Sequence, residues 1–308
     1  MGSDTNLLER KAPSNKSAAQ EYYETNGYYV WKNLLSPAMI DRLLQRYQQE
    51  ILSSKNSFFR QNTNRYEVNK LTEHGYIQQS FLDIHDYKKF PDFSRCAKEL
   101  YTSKEMRNAL SEITGFASFK LMQTMLFDAN TETQPHQDCW YLDTVPNGHL
   151  LAAWIALEDI DERAGRFFIL PGSQNVDLHS GMDESEHDAW IARIKNYTAA
   201  HPEQLHAPAL KKGDVLFWNS HTIHGSLPTQ DPRFSRKSLT AHYMPAEFEF
   251  GNLFCTKKNL QYKSHDGMEY LSTRDDIPFD KLKADIKQAG LYSPAVTQVV
   301  QKMKQVFK

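Results

Sequence analysis

The pattern His136-Gln137-Asp138, followed far downstream by His224, combines two imidazoles with one carboxylate. That is the donor set that non-haem Fe(II) takes as a 2-His-1-carboxylate facial triad. In an extended strand residues i and i+2 share a face, so His136 and Asp138 can address one metal from a straight backbone. The third donor comes from another strand. Three protein donors on one face of an octahedron leave positions for a co-substrate, oxygen or water, an arrangement suited to oxidation. His221-Thr-Ile-His224-Gly-Ser226 offers two imidazoles for the third place. Three apart on a strand, they face opposite sides. His224, beyond the end of the strand Val215–Trp218, is expected at a mouth, and His221 at the surface or behind the ligands.

Past His224, Arg236-Lys-Ser-Leu-Thr-Ala-His-Tyr243 alternates. Arg236, Ser238, Thr240 and His242 share one face, and Leu239, Ala241 and Tyr243 the other. An inward Arg left unpaired is costly. A dicarboxylate would pair it through two parallel, charge-assisted hydrogen bonds, as would an Asp or Glu of the same sheet. Cys139, beside Asp138, reads as buried packing.

Phe119–Phe127 and Leu150–Leu157 read as strands on either side of the triplet. Asp159–Gly165 and Leu170–Ser173 mark turns, and Lys212-Gly-Asp214 turns into Val215–Trp218. Short strands so punctuated, from Phe119 to about Tyr243, predict a jelly roll or β-sandwich. Before them, Glu21–Leu35 predicts a short helix and the strand Tyr28–Trp31. Ser36-Pro37 opens a helix with Ile40, Leu43, Leu44, Tyr47 and Ile51 as its stripe. Residues 53–75 predict a long loop. A helix over about Ser103–Thr114 is ended by Gly115. An insertion at 174–212 holds a helix over Glu184–Tyr197, and Ser293-Pro294 opens a C-terminal helix. The expected organisation is a flexible segment 1–18 and a single domain 19–308. Its jelly-roll core spans about 119–245, and 246–308 packs on that core or on a partner subunit of a homodimer.

Hydrophobic, aromatic and charged contents of 40%, 12% and 24% over 308 residues describe a globular chain able to bury a large core. A net charge of −2 gives no pull toward nucleic acid, and no apolar stretch approaches a membrane span. Cys96, Cys139 and Cys255 are too scattered for a disulfide framework, which fits a reducing, cytoplasmic setting.

In order and spacing, His136-Gln-Asp138, Gly165…Leu170-Pro-Gly-Ser173, His224-Gly-Ser226 and Arg236 resemble the phytanoyl-CoA dioxygenase family, from about Glu21 to Pro245. The resemblance implies a mainly β double-stranded β-helix (jelly roll, cupin-like) with flanking helices. It also implies Fe(2+), 2-oxoglutarate and O2 as cofactor and co-substrates. The reaction would oxidise an unactivated C–H of a small organic substrate, releasing succinate and CO2. Hydroxylation is the default; desaturation, cyclisation or epimerisation at the same iron stays open, and a non-catalytic jelly-roll binding protein is the alternative from another class. By position, His136, Asp138 and His224 would hold iron. Arg236, helped by Ser226, would hold the distal carboxylate of 2-oxoglutarate, with Gln123, Met125, Trp154 and Ser238 beside it. Gln137, Trp140 and Tyr141 would border the substrate, together with the segments 53–80, 174–212 and 246–270. Asp138 stands where related halogenases carry Ala or Gly, which argues against chloride. Gln174 departs from the His that usually follows Pro-Gly-Ser and bears on a loop alone.

Overall fold

The computed structural model describes residues 16–272. Residues 1–15 and the helix expected after Ser293 lie outside the described residues. From the N-terminus come α1 (Ala18–Asn26), β1 (Tyr28–Trp31), α2 (Pro37–Arg46), β2 (Phe58–Arg60), β3 (Arg65–Glu67) and β4 (Phe81–Leu82). Then follow α3 (Pro91–Tyr101), α4 (Lys104–Thr114), β5 (Phe119–Phe127), β6 (Asp143–Val145), β7 (Leu151–Ala156), β8 (Phe167–Ile169) and α5 (His187–Ala200). The chain continues through β9 (Val215–Asn219), β10 (His224–Ser226), β11 (Ser238–Pro245), β12 (Glu249–Gly251), β13 (Tyr262–His265) and β14 (Met268–Leu271).

Local chemistry sets the helix ends. The hydroxyls of Ser17, Ser36 and Ser103 accept the backbone N–H groups of Gln20, Met39 and Met106, and Pro37 occupies the first turn of α2. α2 runs on into a wider turn, Tyr47–Leu52, so Ile40, Leu43, Tyr47 and Ile51 form one buried stripe.

The large antiparallel sheet runs β1-β9-β7-β11-β5-β4-β2-β3, with β14 alongside β5. Side-chain alternation divides it into two faces. Leu239, Ala241 and Tyr243 of β11, Ala153 and Ile155 of β7, and Val215 and Phe217 of β9 pack outward with residues of α2, α3 and α4. Trp154, Leu216 and Trp218 face inward, against Phe167 and Ile169 of the short sheet β8–β10. The two sheets form the expected jelly roll, with the helices outside it.

The expected loop at 53–75 is instead partly β. β2 and β3 form a hairpin that β4 joins to the edge of β5. Buried Arg60 holds it, donating to the carbonyls of Gln79 and Glu67 and to Asn69 Oδ1. The polar composition of the segment hid its strands.

Candidate metal centre

His136 reaches its place through an isolated antiparallel bridge to His224, each N–H donating to the other's carbonyl at 3.0 Å. The bridge continues the β10 edge and brings the two rings to 4.2 Å between centroids. Asp138 corrects the straight-strand expectation. It opens a short 3-10 turn, Asp138–Trp140, whose first carbonyl accepts Tyr141 N and Leu142 N. The turn delivers the carboxylate inward. Its Oδ1 lies 3.6 Å from His136 Nε2 and 3.5 Å from His224 Nε2.

Hydrogen bonds leave the right atoms free. His136 Nδ1 donates to Gln134 O and His224 Nδ1 to Thr222 O, each at 2.9 Å. Both Nε2 atoms are thereby left as lone-pair donors facing Asp138 Oδ1. Asp138 Oδ2 accepts Trp218 Nε1–H at 2.9 Å and lies 3.3 Å from His242 Nε2. Burial pushes the Asp138 carboxyl up, yet the imidazoles of His224, His242 and His136 hold it well below the usual carboxylate range. Burial lowers His224 despite the Asp138 charge, so its neutral, ligating form is favoured. Donor type, tautomer and orientation all fit a divalent metal.

Arg236, just before β11, is 2% exposed. Its Nη1 donates to Gly165 O at 3.0 Å, while Nε is buried without a partner. The nearby acids Asp128 and Glu158 pair with Lys237 instead. Burial with no opposing carboxylate pushes the guanidinium pKa down to about 9. The ion pair within the sheet that sequence left open is therefore absent among the described residues.

His136, Asp138, His224 and Arg236 line one cavity of about 540 Å³, together with Gln123, Met125, Trp154 and Ser226. Tyr141, 44% exposed, stands at its edge with its hydroxyl 2.7 Å from His187 Nε2. Three expected wall residues lie elsewhere. Ser238 is fully buried and donates its hydroxyl to Arg236 O. Gln137, between His136 and Asp138, points away and donates to His221 O. Trp140 stacks on Trp190 at 4.5 Å, under α5. The segment 246–270 supplies no wall either: Phe254 packs on Trp140, and Lys263 pairs with Asp86.

Sequence reasoning missed Trp218 and His242 as partners of Asp138, and Phe167 and Thr240 as walls, whereas Gln61, Asn64, His187 and Ile191 fall within the segments 53–80 and 174–212 expected to border the cavity. Alternation along β11 already put His242 on the inward face, the one available signal.

Two sheets closed into a jelly roll, with two imidazoles and a carboxylate converging at its mouth, define the cupin-like class of metal-site protein. Within that class, the phytanoyl-CoA dioxygenase (PhyH) family matches residues 23–236, and the chain belongs to that family. The peroxisomal phytanoyl-CoA dioxygenase of Bos taurus is 26% identical over 252 residues, 75% of this chain and 69% of its own length. Phytanoyl-CoA dioxygenase domain-containing protein 1 of Danio rerio is 31% identical over 157 residues, 49% of this chain and 47% of its own. Among solved structures, the epimerase SnoN in complex with Fe3+, alpha ketoglutarate and nogalamycin RO aligns at TM-score 0.55 and 17% identity, covering 83% of this chain and 97% of that one. EctD from S. alaskensis with 2-oxoglutarate and 5-hydroxyectoine aligns at 0.53 and 18% identity, covering 80% and 82%. At these identities the structures establish the shared fold.

Proposed function

We propose that this chain, as a 2-oxoglutarate-dependent oxygenase, hydroxylates an unactivated C–H of a small organic molecule. The observation carrying the proposal is the uncompensated guanidinium of Arg236 in the same cavity as the His136–Asp138–His224 cluster. A metal cluster alone serves many reactions. A buried cation beside it, without an acid of its own, supports a co-substrate that brings carboxylates.

In this reading His136 Nε2, His224 Nε2 and Asp138 Oδ1 hold Fe(II), and Arg236 takes the distal carboxylate of 2-oxoglutarate through Nε and its amino groups. Bound together, iron, 2-oxoglutarate and O2 supply oxidative decarboxylation to succinate and CO2 and the oxidising power directed at the substrate. The chain's own part is placement. Trp218 and His242 occupy Asp138 Oδ2, so Oδ1 alone addresses the metal. Trp154, Phe167 and Met125 keep water from the co-substrate, and Ser226 adds a hydroxyl at the wall.

The outer cavity is lined by Gln61, Asn64 and Leu82 from the β2–β4 region and by Tyr141, His187 and Ile191 opposite. Among the described residues its lining holds Arg236 and four imidazoles but no lysine. That supports a small, neutral or weakly polar substrate over one whose recognised part is a polyphosphate. The test is a panel of neutral metabolites and acyl-CoA thioesters screened for stimulated succinate release. A neutral compound is expected to stimulate, and His136→Ala to abolish the stimulation. Release unchanged in His136→Ala would refute the iron assignment.

A further inference from the structure

A second cluster lies back to back with the first. Cys139, His179 and His221 bring a thiol and two imidazoles together, with ligand atoms all within 4.8 Å of one another. They come from three separate places: the 3-10 turn that starts at Asp138, the insertion before α5, and the loop between β9 and β10. His221 Nε2 lies 3.0 Å from Asp143 Oδ2, a fully buried carboxylate that also accepts Ser220 Oγ and the N–H groups of Thr144 and Gly148. With Nε2–H given to Asp143, Nδ1 is the nitrogen His221 has left for a cation. A carboxylate behind an imidazole is the arrangement that orients a metal-bound histidine. His179 Nδ1 is buried with no hydrogen-bond partner, its nearest carboxylate, Asp177, standing off at 3.8 Å. Asp177 instead accepts the N–H groups of His179 and Ser180, which fixes the loop that presents the ring.

We propose that Cys139, His179 and His221 bind a second metal ion of the Zn(II) class. One sulfur and two imidazole nitrogens suit a borderline-soft tetrahedral ion, with water completing the shell, whereas the all-N/O cluster beside them suits Fe(II). Both sites draw on the same two stretches of chain, and each stretch sends one residue to each site: Asp138 and His224 to one, Cys139 and His221 to the other. The third ligand gives the second ion its role. His179 belongs to the insertion whose helix α5 carries His187 and Ile191 into the cavity wall. An ion held there staples that wall to the segments bearing the iron ligands without touching substrate.

The probe is Co(II), a spectroscopic stand-in for Zn(II), titrated anaerobically into the reduced full-length protein. A near-ultraviolet thiolate-to-cobalt charge-transfer band is expected. It should survive in His136→Ala and Cys255→Ser, vanish on addition of Zn(II), and be lost in Cys139→Ser and in His179→Gln. Cys139 is buried and its variant can misfold; His179, on a partly exposed loop, supplies the variant that leaves the core intact. Absence of the band in the wild type, its survival in His179→Gln, or its loss in Cys255→Ser or His136→Ala would overturn the proposal.

Discussion

A guanidinium buried like that of Arg236, with Nε unpartnered, carries a desolvation penalty that an arriving carboxylate relieves. Removing one partner of such a pair costs about 2–5 kcal/mol. Arg236→Ala is therefore expected to weaken 2-oxoglutarate by roughly 30-fold to several thousand-fold, measured by titration calorimetry, while the metal stays bound. For the same reason 2-oxoglutarate should raise the melting temperature of the metal-loaded protein, by about 2.7 kcal/mol of stability at a hundred times its Kd. Metal retention should follow pH with a definite sign. The folded state lowers both His224 and Asp138, so each contributes stability at neutral pH that is lost on acidification. His224's share starts to go near its unfolded value of about 6.5, Asp138's only below about 3.9. Because ligands bind metal in their deprotonated forms, acidification should displace the metal, a trend that equilibrium dialysis across pH reads directly. The ligand types were legible because each is named by a short local pattern. That Arg236 lacks an acid was not, because Lys237, its neighbour in sequence, takes Asp128 and Glu158 through the fold.

At the scale of elements, the centre depends on two features that spacing does not disclose. The His136–His224 bridge sets the imidazoles, and the turn at Asp138–Trp140 sets the carboxylate. Sequence foresaw a straight strand through the triplet because i and i+2 share a face. In the structure Trp218 on β9 and His242 on β11 draw Asp138 inward instead, and those strands are distant in sequence. Trp218→Phe keeps the ring and removes the donor to Asp138, and metal affinity is expected to fall about 10–100-fold with the fold retained. Glycine marks the second dependence. Gly165 has φ of +77°, and a Cβ there would lie 2.1 Å from Asn130 Nδ2 and 2.5 Å from Leu227 O. Its carbonyl is the acceptor that anchors Arg236. Gly165→Ala should therefore lose about 1–2 kcal/mol to the left-handed backbone alone, and more to the clash, with co-substrate affinity falling alongside stability. Wild-type melting behaviour and 2-oxoglutarate affinity in that variant would contradict this link. Helix starts at Ser17, Ser36 and Ser103 were readable because capping is local; the β2–β3 hairpin was not, because Arg60 closes it from within.

Across the whole molecule, period-2 alternation in β7, β9 and β11 assigns one face of the large sheet to the helices and the other to the cavity. In sequence only β11 showed that alternation, since β7 and Val215–Trp218 of β9 are apolar throughout; the jelly roll was anticipated from the short strands and the turns between them. How the insertion folds back was not visible, since its helix reports only its own apolar face. Trp190, fully buried, stacks on Trp140 and ties α5 to the turn that carries Asp138. Trp190→Ala should cost about 3–5 kcal/mol of local packing and release the wall holding His187 and Ile191. Substrate-stimulated succinate release should then drop while 2-oxoglutarate binding persists; loss of both together would place Trp190's role in the core rather than the wall. Among the described residues no helix is long and apolar enough to cross a membrane. The account as a whole requires His136, Asp138 and His224 to close on one ferrous ion, with Arg236 gripping the far end of its co-substrate. Anaerobic addition of Fe(II) and 2-oxoglutarate tests that requirement most directly. A weak visible charge-transfer band is expected that saturates, disappears in His136→Ala and His224→Ala, and demands far more 2-oxoglutarate in Arg236→Ala. A wild-type protein without the band, or a band that outlives the loss of His224, would contradict it.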